Sequence, residues 1–378
     1  MNKNKYNSGE IHVGEESRNR FISSSFINDT KKSSIAIIAA ILVLATVACT
    51  FFAVFGDFVS LEIKPIYTTT TPSQSPSDKP ADVDKDFPYA TITDKTNFIA
   101  ADGGKGMYQL DINSGYAILV RLSDMKTLGH KYADEIIFPA SMTKVMTVVT
   151  ALDLIGDLDD LYIFNPDILN QLTGSESTSD MKYLYNEYGS VTYTVRDLLY
   201  GISYRSGADS VVCLLDYLGL DMIEFAELMN LKANEIGLTN THFGGAIGMD
   251  AELNTTTCRD VAAIMAYAME NPFCQDVFGG TSYRLDYIQM TYYNSTLSKT
   301  LTNMGTNITA LLGENYTLLA AKSGFEDNAG YCLVSYIQNN ETGEKFVLVT
   351  AKAERSAEYP NNRYTISDME TIFAWANP

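Results

Sequence analysis

Twenty-four consecutive residues without a charge, Ser33 to Gly56 (SSIAIIAAILVLATVACTFFAVFG), constrain this chain more than any other stretch. A helix that crosses a bilayer needs about 20 such residues, and a buried core helix of that length normally keeps a polar stripe. Lys31 and Lys32 precede the run, while Asp57 and Glu62 follow it. The positive-inside rule then puts residues 1–32 in the cytoplasm and the bulk of the chain outside the cell. A cleaved signal peptide is the competing reading, but its apolar region is about 7–15 residues long. An uncleaved single-pass anchor over 33–56 is therefore expected.

The anchor divides the chain. Residues 1–32 are polar, of mixed charge and without periodicity, which predicts a disordered tail. Residues 57–95 include TTTTPSQSPSDKPADVDKD, too rich in Thr, Ser, Pro and Asp to bury a core, and read as a linker. From residue 96 to 378 the composition is globular, so one folded domain is expected there. Removing the tail's six basic and four acidic residues from totals of 27 and 46 leaves 21 basic against 42 acidic residues. Such a balance lacks the basic face that a nucleic-acid partner requires. The five cysteines form no C-x-x-C pair, so no zinc site is expected. Cys213, Cys258, Cys274 and Cys332 lie in apolar or small-residue surroundings and read as buried free thiols.

Within 96–378, Ser114–Val120 reads as a strand followed by a turn near Ser123-Asp124. Pro139 to Ile155 has helical spacing, with Val145, Val148, Val149 and Leu152 as its apolar stripe and proline in its first turn. Thr194–Leu218 reads as helix broken at Tyr204–Gly207. Phe225–Ile236 is helical and Gly237 suits its C-cap. Thr257–Met269 is a further helix. Thr317–Lys322, Ala329–Gln338 and Lys345–Lys352 read as strands. Ser367–Trp375 closes the chain as a helix, with Ser367 as N-cap and Glu370 in capping-box spacing. Early strands, a helical middle and late strands imply an α/β (α+β) domain whose antiparallel sheet is completed by both ends and flanked by helices.

The chemistry concentrates in three places. Ser-x-x-Lys puts a hydroxyl and an amine on one helix face, and a lysine kept neutral by burial and nearby cations can take the serine's proton. The pattern occurs three times, at Ser123/Lys126, Ser141/Lys144 and Ser179/Lys182, so spacing alone does not choose. The second place is the polar break Tyr204-Arg205-Ser206-Gly207-Ala208-Asp209. The third is Lys322-Ser323-Gly324, at the end of an apolar strand. A polar break is ordinarily a surface turn, and a lone Lys-Ser-Gly means nothing. Their order carries the information: serine–lysine on a helix, a serine loop 65 residues on, and Lys-Ser-Gly a further 116 on.

In this order the chain resembles the serine-type D-alanyl-D-alanine carboxypeptidases (peptidase family S11), low-molecular-weight penicillin-binding proteins of the β-lactamase/transpeptidase-like superfamily. The likeness spans roughly 105–378. It includes Pro139-Ala140-Ser141-Met142-Thr143-Lys144, the stretch Met229–Asp250, Thr257-Cys258-Arg259-Asp260, and Lys322–Tyr331. It singles out Ser141, since Ser123 and Ser179 lack this setting.

The resemblance implies an antiparallel sheet with a helical subdomain and the following roles. Ser141 is the nucleophile on the terminal D-Ala–D-Ala bond, Lys144 its base, and Ser206 a proton relay lying between Lys144 and Lys322. Lys322 and Ser323 bind the substrate carboxylate, Gly324 lets the strand approach, and the backbone N–H groups of Ser141 and Phe325 form an oxyanion hole. No metal or organic cofactor is implied. The implied partners are peptidoglycan stem peptides, β-lactams as covalent inhibitors, and the membrane through the N-terminal helix. Ala208 stands where relatives usually carry asparagine. That departure keeps alternatives in view: a β-lactamase or D,D-endopeptidase on the same fold, or a non-catalytic scaffold that binds peptidoglycan. His12, His130 and His242 are not expected to be catalytic, and Arg205 and Arg259 either help bind the substrate's carboxylate or simply pair with acids.

Overall fold

The computed structural model describes residues 97–174, 176–179, 181–289, 296–302, 314–354 and 363–378. All of these belong to one compact unit, Val83–Pro378. The expected tail, anchor and linker, with their boundaries, lie outside the described residues. Among the described residues no helix is long and apolar enough to cross a membrane.

In chain order the strands are β1 (Lys105–Gly106), β2 (Ser114–Arg121), β3 (Lys126–Lys131), β4 (Leu161–Ile163), β5 (Val191–Thr194), β6 (Ser282–Gln289), β7 (Thr296–Thr302), β8 (Tyr316–Glu326), β9 (Gly330–Asn339) and β10 (Lys345–Ala353). The helices are α1 (Thr143–Leu152), α2 (Met181–Tyr188), α3 (Val195–Tyr204), α4 (Ala208–Leu218), α5 (Met222–Ile236), α6 (Cys258–Ala268), α7 (Pro272–Gly279) and α8 (Arg363–Ala376).

The main sheet has the order β1-β3-β2-β10-β9-β8, so strands from the start and the end of the domain meet at the β2–β10 pair. This matches the expected two-ended sheet. It is antiparallel throughout except for the short parallel pair β1–β3. Alternation along the strands divides the core. Ala117, Leu119, Leu333, Ile337, Phe346 and Leu348 face one way and pack under Met369, Ile372 and Phe373 of α8. Ile118, Val120, Val334, Val347 and Val349 face the other way, into the helical half. There α1 is buried along all ten residues, which explains why its sequence is apolar almost all round.

The helical half also holds a second sheet, β4-β5-β6-β7, which was not among the expectations. Helix ends follow their caps. Thr194 and Asp197 form a capping box at α3, Asp221 and Glu224 another at α5, and Gly237 closes α5 with φ +91°. One expectation is corrected: α8 begins at Arg363, so Ser367 lies inside it rather than at its N-cap. Asp368, next to Ser367, instead accepts bonds from the backbone N–H groups of Asn113 and Ser114, tying the helix to the start of β2.

Candidate active site

The nucleophile turn is held before the helix begins. The Ile137 and Thr256 backbones exchange N–H···O bonds at 2.8 and 3.0 Å, and Pro139 leads into a short 3-10 turn, Ala140–Met142. Ala140 has φ +47°, a left-handed conformation that costs a non-glycine residue ~1–2 kcal/mol. Gly248 makes room for it. A Cβ on Gly248 would fall 2.1 Å from the Ala140 carbonyl oxygen, and Gly248 itself has φ +89°. The strained turn delivers Ser141 one helical turn before Lys144.

Lys144 is 1% exposed. Its Nζ lies 3.0 Å from Ser141 Oγ and donates to the Ile247 carbonyl at 2.5 Å. Burial lowers its pKa to about 8, while the carboxylates of Glu252, Glu326, Asp209 and Glu176 pull it back up. The expected cause was burial together with nearby cations; burial is the larger part of it, and Lys322 is the cation close enough to interact with Lys144.

Ser206 sits in the break between α3 and α4 with φ +55°, a second strained non-glycine residue beside the same chemistry. Its oxygen accepts a 3.0 Å bond from Lys322 Nζ, which also donates to the Ser323 carbonyl at 2.8 Å. Lys322 is 3% exposed. Burial and the neighbouring Lys144 ammonium hold it well below the ordinary lysine range. The expected Ser206 position between two lysines is met on one side: among the described hydrogen bonds, none joins Ser206 to Lys144.

The two halves meet at Gly324. A Cβ there would lie 2.8 Å from the Ser141 backbone nitrogen and 2.9 Å from Ala140 Cβ, so only glycine lets β8 come this close. The structure thus brings Ser141, Lys144, Ser206, Lys322 and Gly324 together. Ser323 and Phe325 are half-buried next to them on the same strand, with the Phe325 ring against Tyr331 at 4.5 Å. Because β8 is the outermost strand of the sheet, an extended peptide could pair along it, with side chains or small groups entering beside Ser141.

The competing serines have other work. The Ser179 hydroxyl is bonded to Asp209 at 2.8 Å and lies 2.6 Å from Ser210 Oγ. Ser123 lies exposed in the β2–β3 turn. Arg259 clamps Asp134 through Nε (2.6 Å) and reaches the Ala100 carbonyl, a structural staple. The four described cysteines are buried and free. Ala208 is fully buried, and its N–H donates to the Ser177 carbonyl at 2.8 Å.

Sequence reasoning missed the floor of the site. Asn254 accepts from the N–H groups of Gly244 and Gly245, and Thr147 Oγ1 donates to the Ala246 carbonyl at 2.7 Å. Together they press residues 244–248 against α1 and present the Ile247 carbonyl to Lys144. A backbone carbonyl has no side-chain signature; the one signal was the glycine-rich run Phe243-Gly244-Gly245-Ala246-Ile247-Gly248.

This geometry coincides with a sequence match. The D-alanyl-D-alanine carboxypeptidase family (peptidase S11) profile fits residues 104–354. The chain belongs to this family. Among curated relatives, D-alanyl-D-alanine carboxypeptidase DacF of Bacillus subtilis (strain 168) is 30% identical over 246 residues, 65% of this chain and 59% of that one. DacA of Escherichia coli (strain K12) is 27% identical over 233 residues, 61% of this chain and 54% of that one. The chain therefore spans less than two thirds of either relative's length. A D-alanyl-D-alanine endopeptidase of E. coli K12 is 27% identical over 244 residues, 73% of its length. The fold is shared with the Streptomyces K15 DD-transpeptidase, with TM-score 0.60, 23% identity and coverage of 70% of this chain and 97% of that one.

Proposed function

We propose that the chain is a serine D,D-carboxypeptidase that removes the terminal D-alanine from peptidoglycan stem pentapeptides. One observation carries the reading: Ser141 and Ser206 each lie 3.0 Å from a buried lysine of depressed basicity, beside the outer strand β8.

Neutral Lys144 takes the Ser141 proton as Oγ adds to the carbonyl of the penultimate D-alanine. The Ser141 and Phe325 N–H groups face the developing oxyanion, where one donor is worth about 3 kcal/mol. The proton held by Lys144 is delivered to the amine of the departing D-alanine, the relay through Ser206 requiring a Lys144–Ser206 contact that forms only with substrate bound, and the C–N bond breaks. Water then attacks the Ser141 ester and releases the shortened peptide. Lys322 and Ser323 bind the terminal carboxylate. β-Lactams present the same carboxylate and a strained amide, so they acylate Ser141.

We further propose that residues 33–56 anchor the enzyme as a single pass, N-terminus in the cytoplasm and catalytic domain outside. The uncharged run and its flanking Lys31 and Lys32 support this, and protease protection of a tagged N-terminus in intact cells tests it.

The likeness to an endopeptidase supports a second reading, cleavage of cross-linked rather than free stem peptides. One experiment addresses both: the purified full chain is offered a pentapeptide, a cross-linked dimer and benzylpenicillin. D-Alanine release from the pentapeptide with a penicilloyl adduct on Ser141 is expected. Cleavage of the dimer alone selects the second reading, and absence of both products and adduct overturns catalysis at Ser141.

A further inference from the structure

We propose that Glu252 is the positioning residue of the base: it shapes the Ile247–Met249 turn so that the Ile247 carbonyl holds one Lys144 N–H and leaves the amine lone pair on Ser141. This rests on the reading of Lys144 as the base.

Glu252 is partly buried and uses both carboxylate oxygens. Oε1 accepts from the Ile247 N–H at 3.2 Å. Oε2 accepts from Gly248 N–H at 2.6 Å, Met249 N–H at 3.2 Å and the Asn254 amide at 3.0 Å. Three successive backbone N–H groups thus converge on one side chain, which fixes the peptide planes on either side of Ile247. The Ile247 carbonyl is turned the opposite way, onto Lys144. A neutral amine has two hydrogens and one lone pair, so pinning one hydrogen restricts where the lone pair can point. The same turn continues to Asp250, which accepts from Asn328 N–H at 3.0 Å in the β8–β9 connection. One segment therefore ties the base to the hairpin that carries Lys322–Phe325.

Glu252 also acts by charge. It is foremost among the carboxylates that raise Lys144, ahead of Glu326, Asp209 and Glu176, and they oppose burial; Lys322 is the neighbouring cation. Lys144 in turn favours the Glu252 anion, whose pKa burial raises. Removing this charge lowers the Lys144 pKa, and glutamine offers one acceptor oxygen where glutamate offers two.

The test measures acylation by a fluorescent penicillin from pH 5.5 to 10 for the wild-type chain, Glu252→Gln and Glu252→Asp, with melting curves for each. In Glu252→Gln the midpoint is expected to fall by about one pH unit and the plateau by roughly tenfold. Glu252→Asp keeps the charge, so its midpoint stays near the wild-type value. Lysine side-chain NMR, with Lys144 assigned by Lys144→Arg, follows the same pKa without any turnover. A Glu252→Gln chain with the wild-type midpoint by both readouts overturns the proposal, even if its melting temperature or plateau falls. A wild-type chain that takes no label overturns the proposed function instead, and the NMR titration still decides the role of Glu252.

Discussion

The two lysines of the site are equally removed from water and differ in almost everything else. Lys144 lies on a helix, donates to a backbone carbonyl fixed by a glycine-rich loop, and has four carboxylates acting on it. Lys322 lies on the outer strand, donates to Ser206 and its own neighbour's carbonyl, and is pushed down further by the other lysine. Burial depresses both. The carboxylates bring Lys144 back to about 8, where it is partly neutral near pH 7 and still returns a proton readily, the balance a general base needs. The neighbouring Lys144 depresses Lys322 further, so in the proposed mechanism an arriving carboxylate would supply its counter-charge. Under the proposed function the same residue type serves as a base in one place and an anion receptor in the other, and the charges around each support that division.

The largest test of that difference is removal of each lysine. Lys144→Ala is expected to slow acylation of Ser141 by ~10³-fold or more with the penicillin's noncovalent affinity little changed, as loss of a general base demands. Lys322→Ala is expected to lower kcat/KM about a hundredfold, chiefly through KM, and only for substrates with a free terminal carboxylate. A substrate amidated at that position serves as the control. If the two variants share one kinetic signature on both substrates, the proposed division of labour is broken.

A smaller and graded effect follows from pH. Lys144 must be neutral to accept a proton, and its folded pKa is lowered to about 8. The acylation rate should therefore rise about tenfold per pH unit below that point and level off above it. A substrate carboxylate beside Lys322 shifts that lysine towards its charged form, so carboxylate binding should take up protons. Calorimetry in buffers of different ionisation enthalpy measures this uptake. Proton release on binding would contradict the assignment.

The parts of this comparison were unevenly legible in the sequence. The break at Tyr204–Gly207 showed as polar residues between apolar helices, and Gly237 announced its helix end. Ser-x-x-Lys did not distinguish Ser141 from Ser179, because the difference is made at long range: Ser141 faces a lysine and β8, while Ser179 is consumed by Asp209 and Ser210. In the second sheet β4 and β5 have only three and four residues, too short for a period-2 pattern to emerge, whereas the alternation of Tyr283, Leu285 and Tyr287 in β6 was a legible signal that was passed over. Ser367 and Glu370 have capping-box spacing inside a helix that had already begun, so a local motif was overridden by the turns preceding it. Ile247 and Glu252 were illegible for a different reason. One acts through its backbone, and the other through backbone groups that composition does not reveal.

The smallest expected effect concerns Ala208, two residues after Ser206. Ala208 occupies the position where relatives commonly have asparagine, and restoring that residue looks like a route to faster turnover. The packing argues otherwise. Ala208 is fully buried, and its N–H is bonded to Ser177. The segment that follows is docked on Asp209, which accepts from Thr178 Oγ1 at 2.9 Å, Ser179 N–H at 2.8 Å and Met181 N–H at 3.1 Å. An asparagine side chain has to displace that segment or bury an unpaired amide, and overpacking of this kind costs ~1–3 kcal/mol. Ala208→Asn should therefore lower the melting temperature by several degrees and leave acylation of the folded fraction within about threefold of wild type. An unchanged melting temperature with faster turnover would mean that the space beside Ser206 is open to a polar group, and that Ala208 faces the substrate rather than packed protein.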